Sequence, residues 1–358
     1  MTNYLNDIVN EIPSKTLAAI LADQNQPLKL EEIDLPSQLF AGQVLVRVHV
    51  SGICGSQLGE ISGAKGADPY LPHLMGHEGC ATVIKVGPGV QTIKPGDLVV
   101  LHWRKGSGIQ SAAPKYRLNG EVINAGWVTT FNSYAVVSEN RCTSIPLDTP
   151  KDVAALFGCA ITTGFGVVEN NAKLKMGESI LVFGAGGIGL NIIQAASLVN
   201  AYPIIAVDLV DERLTLASSM GATHIINNLQ CDIKNSLLEI IGDSKLDVFI
   251  DNTGIPNIIE FGYENTNDNG RIILVGVPRV GNNINIFSLP LHFGKILIGS
   301  HGGESRPERD IPRYLNLFNN DRIKFDKLVS DRFPLKKINE AIELMKNGNS
   351  SGRILIDI

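Results

Sequence analysis

The chain has 358 residues, is 44% hydrophobic and 19% charged, and carries a net charge of −5. That is roughly two domains' worth of chain at about 100–200 residues each, with room for sizeable cores. No basic run exceeds two residues, which argues against a nucleic-acid partner, and no apolar run reaches the ~18–20 residues of a membrane span.

The first stretch, "MTNYLNDIVNEIPSK", lacks the basic start and apolar centre of a signal peptide. Leu5, Ile8, Val9 and Ile12 predict a short amphipathic helix docking as an N-terminal arm. Residues 16–50 carry β-branched alternation and predict strands, as do 80–101, with Gly-Pro-Gly and Lys-Pro-Gly-Asp turns between the runs. Residues 104–130 are polar and glycine-containing and predict a long loop or lobe, and 131–146 a further short β stretch. From about residue 160, short apolar runs ending in small or polar residues alternate with helix-length segments such as 211–220 and 230–242. That alternation predicts βαβ units and a parallel sheet covered on both faces. The final stretch, "KINEAIELMKNGNSSGRILIDI", predicts a helix and a closing strand. The fold class expected is therefore α/β: a doubly wound parallel sheet over 161–300, inserted into a β-rich domain made of 1–160 and 301–358.

Five cysteines, Cys54, Cys80, Cys142, Cys159 and Cys231, are scattered and form no C-x-x-C. An odd, unpatterned set argues against a disulfide framework and for a reducing, cytoplasmic setting.

Gly184, Gly186 and Gly189 match G-x-G-x-x-G, between the apolar run "SILVF" and the helical pattern "LNIIQAASLV". The spacing suits a dinucleotide: one glycine for the turn, one for backbone approach to a pyrophosphate, one for helix–strand packing. With Gly187 and Ile188 they open a helix whose N-terminus faces the anion. Asp208 closes the next predicted strand about 20 residues on, where an acid accepts from ribose hydroxyls and repels a 2′-phosphate. That favours NAD over NADP, although Arg213 lies close enough in sequence to hold a phosphate. The alternative is a glycine turn in a purely structural fold, with Asp208 capping a helix.

Cys54, His77 and Cys159 are zinc-ligand types, but their wide spacing assembles nothing by itself. A lone cysteine is most often a small buried hydrophobe. The stretches "GICGSQ", "GHEGCATVIKVGPGV", "KPGDLVV", "TFNSYAVV", "LFGCAITTGFG", "VFGAGGIGL" and "INEAIELMKNG" occur in this order. Together they resemble the zinc-dependent medium-chain alcohol dehydrogenases, from about residue 28 to the C-terminus. The resemblance implies a GroES-like catalytic domain and a Rossmann domain. It implies Cys54, His77 and Cys159 as ligands of a catalytic zinc, with Glu78 the carboxylate behind the metal. It also implies Ser56 as the hydroxyl taking the alcohol proton, Thr163 and Ile188 as nicotinamide contacts, and Arg353 as a residue reaching the pyrophosphate. A turn serine is the alternative for Ser56.

Three departures from that family stand out. The lobe after "KPGDLVV" has no cysteine, so one zinc per chain is expected and no structural zinc. Gln57 stands where the family usually has aspartate, an acid that would accept a hydrogen bond from a ligating histidine. Gly59 stands near the position of a relay histidine. By resemblance Trp103 lines the substrate pocket, and His102, Arg104 and Lys105 flank it. Rings beside cations suit a polar alcohol such as a polyol, sugar or cyclitol, unless Arg104 and Lys105 are a solvated loop. Trp127 suits either the pocket wall or the core of the lobe.

The function expected is hydride transfer between an alcohol and NAD by a homodimer or homotetramer whose partner is a small alcohol or carbonyl compound. The alternatives are a zinc-free quinone or enone reductase, which would generally lack the ligand cysteines, and a non-catalytic dinucleotide-binding protein.

Overall fold

The structure, a computed structural model, describes residues 13–325 and 327–358; the expected N-terminal helix lies outside them. They divide into two compact units. One runs to Cys159 and takes in Arg306–Leu315 and Asp331–Ile358; the other is Ala160–Ser305 with Asn316–Ser330. The expected division gave all of 301–358 to the first unit. The return of 316–330 to the second is fixed by Gln194, whose Oε1 accepts from the Lys324 amide at 2.5 Å, and by Lys324 Nζ, which donates to the Ser219 carbonyl at 3.0 Å.

The first unit begins with strands β1 (Lys15–Leu21), β2 (Lys29–Asp34) and β3 (Gln43–Gly52), then helix α1 (Gly55–Ile61). Strands β4 (His73–Leu74), β5 (Glu78–Val86), β6 (Leu98–His102), β7 (Lys115–Leu118), β8 (Glu121–Asn124), β9 (Tyr134–Ser138) and β10 (Cys142–Ile145) follow, and helix α2 (Lys151–Leu156). Strands β1, β2, β7, β8 and β4 close a small barrel. The apolar strand β3 organises the rest. One edge pairs with β5; the other pairs first with β9, at Gln43–Arg47, and then at Val50–Gly52 with a strand from the C-terminus of the chain, Arg353–Asp357. Val44, Val46 and Val48 pack on Val83, Val99, Leu101 and Val137.

The expected loop over 104–130 contains the β7–β8 hairpin. Its turn is Asn119-Gly120, both at positive φ, a local signal for a tight hairpin that the polar composition masks. The cysteine-free lobe is tied down by the buried Glu139. Its carboxylate accepts from the amides of Gln91 (2.7 Å), Thr92 (2.8 Å) and Ile109 (2.7 Å) and from the Thr92 hydroxyl (2.9 Å). Burial pushes this carboxyl up, but the four donors outweigh it and hold it below the usual range.

The second unit is a six-stranded parallel sheet. Its strands are β11 (Ile180–Phe183), β12 (Ile204–Asp208), β13 (His224–Asn227), β14 (Leu246–Asp251), β15 (Thr266–Leu274) and β16 (Ile296–Gly299). Their order, β13-β12-β11-β14-β15-β16, is that of the doubly wound dinucleotide fold. Strands β11 and β12 are buried throughout, as a sheet covered on both faces requires.

Candidate active site

Three backbone features bring Cys54, His77 and Cys159 together. Cys54 follows β3 in extended conformation and caps the N-terminus of α1. Gly76, just before His77, has φ +91°, and a Cβ there would lie 2.2 Å from Thr130 Oγ1 and 2.7 Å from the Phe131 amide nitrogen; only glycine fits. Gly158, just before Cys159, is equally confined, since a Cβ would meet the Leu101 carbonyl oxygen at 2.3 Å and Glu78 Cα at 2.8 Å. The Cys54 and Cys159 sulfurs and a His77 ring nitrogen consequently lie within 4.8 Å of one another, with both cysteines buried and His77 half-buried. The thiol of Cys159, hydrogen-bonded to Cys54, holds the Cys54 thiol well below its usual range, helped by His77 and Arg353 and opposed by burial. Two thiols and an imidazole in this spacing could hold a zinc ion with a fourth position left open.

Behind the cluster lie Glu78, 0% exposed, and Arg353, 3% exposed, in direct ion pairing. Burial pulls the Arg353 guanidinium down, while the neighbouring Cys54 pulls it up. Arg353, expected at a pyrophosphate, is placed by its own unit against Glu78 and Cys54. Neither Gly76, Gly158 nor this pair was singled out from sequence. The only local trace is a glycine directly before His77 and before Cys159.

Ser56 sits in the first turn of α1, half-buried, and makes no hydrogen bond among the described residues. Gln57 is 1% exposed. It does not take up the histidine-facing role of the family's aspartate: its Oε1 accepts from the Cys54 amide at 2.8 Å, and its Nε2 is buried without a partner among the described residues. The residue caps α1 through the backbone of Cys54, because the third helical position points back at the N-cap.

His102, expected in a substrate pocket, is 1% exposed with both ring nitrogens engaged. Nδ1 lies 2.8 Å from the Arg104 carbonyl, which can only accept, and Nε2 lies 2.9 Å from the Thr143 hydroxyl. It is a buried strut, and burial pushes its pKa down to about 4. Trp103 is half-buried, with the Arg104 guanidinium 5.8 Å from its ring centroid, and Lys105 is exposed. Trp127 is exposed on the lobe under Arg141, 5.4 Å from the ring centroid, so it belongs to no core.

In the second unit the three fingerprint glycines separate by role. Gly184 follows β11 at φ +93° and makes the turn. A Cβ on Gly186 would meet nothing within 4 Å, leaving space for a ligand at the start of helix α3 (Gly187–Leu198), while one on Gly189 would lie 2.0 Å from the Gly184 carbonyl oxygen. Gly187 and Ile188 form the first half-buried turn of α3. Asp208 ends β12. It accepts from the amides of Ala185 (2.8 Å), Leu209 (2.8 Å) and Val210 (3.1 Å), and Arg213 Nη1 stands 3.6 Å away. Thr163 is buried in the segment Ala160–Gly166.

Two family models match the chain: an alcohol dehydrogenase GroES-like domain over residues 41–147, and a zinc-binding dehydrogenase over 187–320. The S-(hydroxymethyl)glutathione dehydrogenase of Paracoccus denitrificans is 30% identical over 96% of this chain and all of its own length. That of Haemophilus influenzae is 31% identical over 94% of this chain and 96% of its own. Among solved structures, an alcohol dehydrogenase zinc-binding domain protein from Burkholderia ambifaria superimposes with a TM-score of 0.86 at 30% identity, over 96% of this chain and 99% of that one. Benzyl alcohol dehydrogenase from Acinetobacter calcoaceticus gives 0.86 at 28% identity, over 97% and 100%.

Between pH 6.5 and about 4 the unfolded chain protonates His102 and the folded one does not. The unfolded state binds more protons there, so stability falls as pH falls. Replacing His102 with Asn flattens the stability–pH slope in that window by roughly one proton, measured by urea unfolding at stepped pH. Gln57→Glu keeps the acceptor for the Cys54 amide, removes the orphaned donor and adds a charge near the thiols. Metal retention against a chelator rises roughly tenfold, and an unchanged off-rate would show that this side chain has no electrostatic reach to the cluster.

Proposed function

The chain belongs to the zinc-dependent medium-chain alcohol dehydrogenases, and on that premise we propose that it exchanges a hydride between a polar alcohol and NAD at one catalytic zinc per chain. The observation that carries this reading is the convergence of Cys54, His77 and Cys159 from three separate stretches of chain. Those three would hold the zinc, and the turn from Gly184 to Gly189 would hold the dinucleotide. Bound there, the two groups supply Lewis-acid polarisation of the substrate oxygen and a hydride acceptor. The chain itself must move the alcohol proton. Ser56 is suited to this, because its hydroxyl lies two residues from a ligand, reaches solvent and has no competing partner among the described residues. With Gly59 in place of a relay histidine, the proton would leave Ser56 through water, since the hydroxyl reaches solvent.

NAD is favoured over NADP because the Asp208 carboxylate, fixed by three amides, repels a 2′-phosphate and answers the charge of Arg213. Trp103 with Arg104 supports a polar or anionic alcohol. Polyols and sugars fit that description, and so does the substrate class for which the relatives are named. The buried His102 takes no part. A zinc-free reductase is disfavoured, since it would have no use for two thiols and an imidazole in one spot. The five free thiols support a cytoplasmic location, and no helix among the described residues is long and apolar enough to cross a membrane.

Strand β16 ends the parallel sheet with Ile296 and Ile298 exposed, and Phe287 and Phe293 before it are 70% and 71% exposed. An apolar edge strand invites pairing with its own copy, so we infer a homodimer closed through this edge. Ile298→Lys then yields monomers in sedimentation, and an unchanged mass would place the interface elsewhere.

Ser56→Ala is expected to lower kcat/KM by roughly 10²–10⁴-fold while zinc content stays at the wild-type level. The assay sets polyols, sugar alcohols, S-(hydroxymethyl)glutathione and benzyl alcohol against NAD and NADP. A zinc-free protein with full activity would overturn the reading.

A further inference from the structure

A second set of ligating side chains lies in the first unit, apart from the cysteines. Glu60 on α1, Asp68 in the following loop and His73 on β4 each bring one ligand atom within 4.8 Å of the others. His73 is 7% exposed. Its Nδ1 lies 2.9 Å from the Leu74 carbonyl oxygen. A carbonyl only accepts, so Nδ1 carries the ring proton. In the neutral ring Nε2 is then a bare lone pair, and it faces Asp68 Oδ2 at 2.9 Å. Two acceptors cannot bond each other, so the contact calls for a positive species: either a proton on Nε2 or a cation that both atoms approach from one side. The other Asp68 oxygen is taken by the Tyr70 amide at 2.8 Å. The Glu60 carboxylate makes no hydrogen bond or ion pair among the described residues, and it adds a further negative group to the same spot.

We propose that Glu60, Asp68 and His73 form a second divalent-cation site that takes Zn²⁺. One imidazole and two carboxylates are zinc donors, and water completes the shell. A dication on two carboxylates and a neutral ring leaves the site without net charge. The Nδ1–H bond to a backbone carbonyl is the support that fixes a metal-binding histidine in the needed tautomer. The positions also give the site a task. Glu60 lies on the helix that starts at Cys54, and His73 on the strand that leads to His77. A metal there clasps the loop of residues 62–72, which separates those two residues, and steadies both ends. The competing cation is a proton on Nε2, which would make an ordinary imidazolium–carboxylate pair.

The test uses the full chain, loaded with Zn²⁺, dialysed against metal-free buffer and counted by mass spectrometry. The expected result is two zinc ions per chain. Glu60→Gln, which removes a group with no other partner and so leaves the fold intact, and His73→Gln should each retain one. With Co²⁺ the two sites separate by colour. The thiolate centre gives sulfur-to-metal charge transfer, and the oxygen–nitrogen site gives weak d–d bands only. Cys54→Ser combined with Cys159→Ser should lose the charge transfer and keep the d–d component, so failure of the catalytic assignment and failure of this one are distinguishable. One zinc in the wild type, or a second equivalent that survives Glu60→Gln with His73→Gln, would overturn the proposal. So would a loss of thermal stability in His73→Gln that is the same with and without Zn²⁺, because it would identify the imidazolium pair.

Discussion

The buried pairing of Arg353 with Glu78 ties the last strand of the chain to β5 in the first unit. Two opposite charges at 3% and 0% exposure are tolerable only when they neutralise each other and find further polar partners, because each alone carries a desolvation penalty of several kcal/mol. Glu78 begins β5 and Arg353 begins the last strand of the chain. Their pairing requires the C-terminus to return beside β3, and β3 ends two residues before Cys54. A domain assembled from both ends of the chain follows from that requirement. The positive charge of Arg353 next to Cys54 also favours the thiolate, so one arrangement serves both the fold and the ligand cluster.

Close backbone approaches complete the cluster. Gly76 and Gly158 stand directly before His77 and Cys159, and both occupy places where any Cβ would run into backbone. They allow the chain to pass near enough for its next side chain to reach a common point. The lobe follows the opposite strategy. Without cysteines to bind a metal, it is gathered by one buried carboxylate, Glu139, which accepts four donors from two loops. A fully bonded buried acceptor of this kind fixes loop geometry much as a metal would.

The second unit shows how a short pattern becomes a site. The glycines of the fingerprint have three distinct environments: a positive-φ turn, an open approach and a closed packing contact. Asp208 links the pattern to the next strand through the Ala185 amide, so the residue suited to read the ribose also fixes the turn suited to hold the phosphates. The same side chain caps the approach to the following helix through the Val210 amide. The capping and recognition readings of Asp208 are thus compatible, since its two oxygens face different groups.

The sequence by itself determined the α/β class, the parallel sheet and the place of the glycine turn, because hydrophobic periodicity and glycine spacing are local properties. It also pointed to the family, through stretches that keep their order along the chain. The β7–β8 hairpin was legible at Asn119-Gly120, but polar composition hid it. Only the tertiary structure decided which ligating side chains meet, because Cys54, His77 and Cys159 are joined by non-local packing that spacing cannot express. It also moved Gln57 onto the Cys54 amide and His102 into the interior, and it brought Glu60, Asp68 and His73 to one point. Each of these is a matter of side-chain direction, which the period of a strand or helix constrains only to a face, and which contacts with distant parts of the chain then settle.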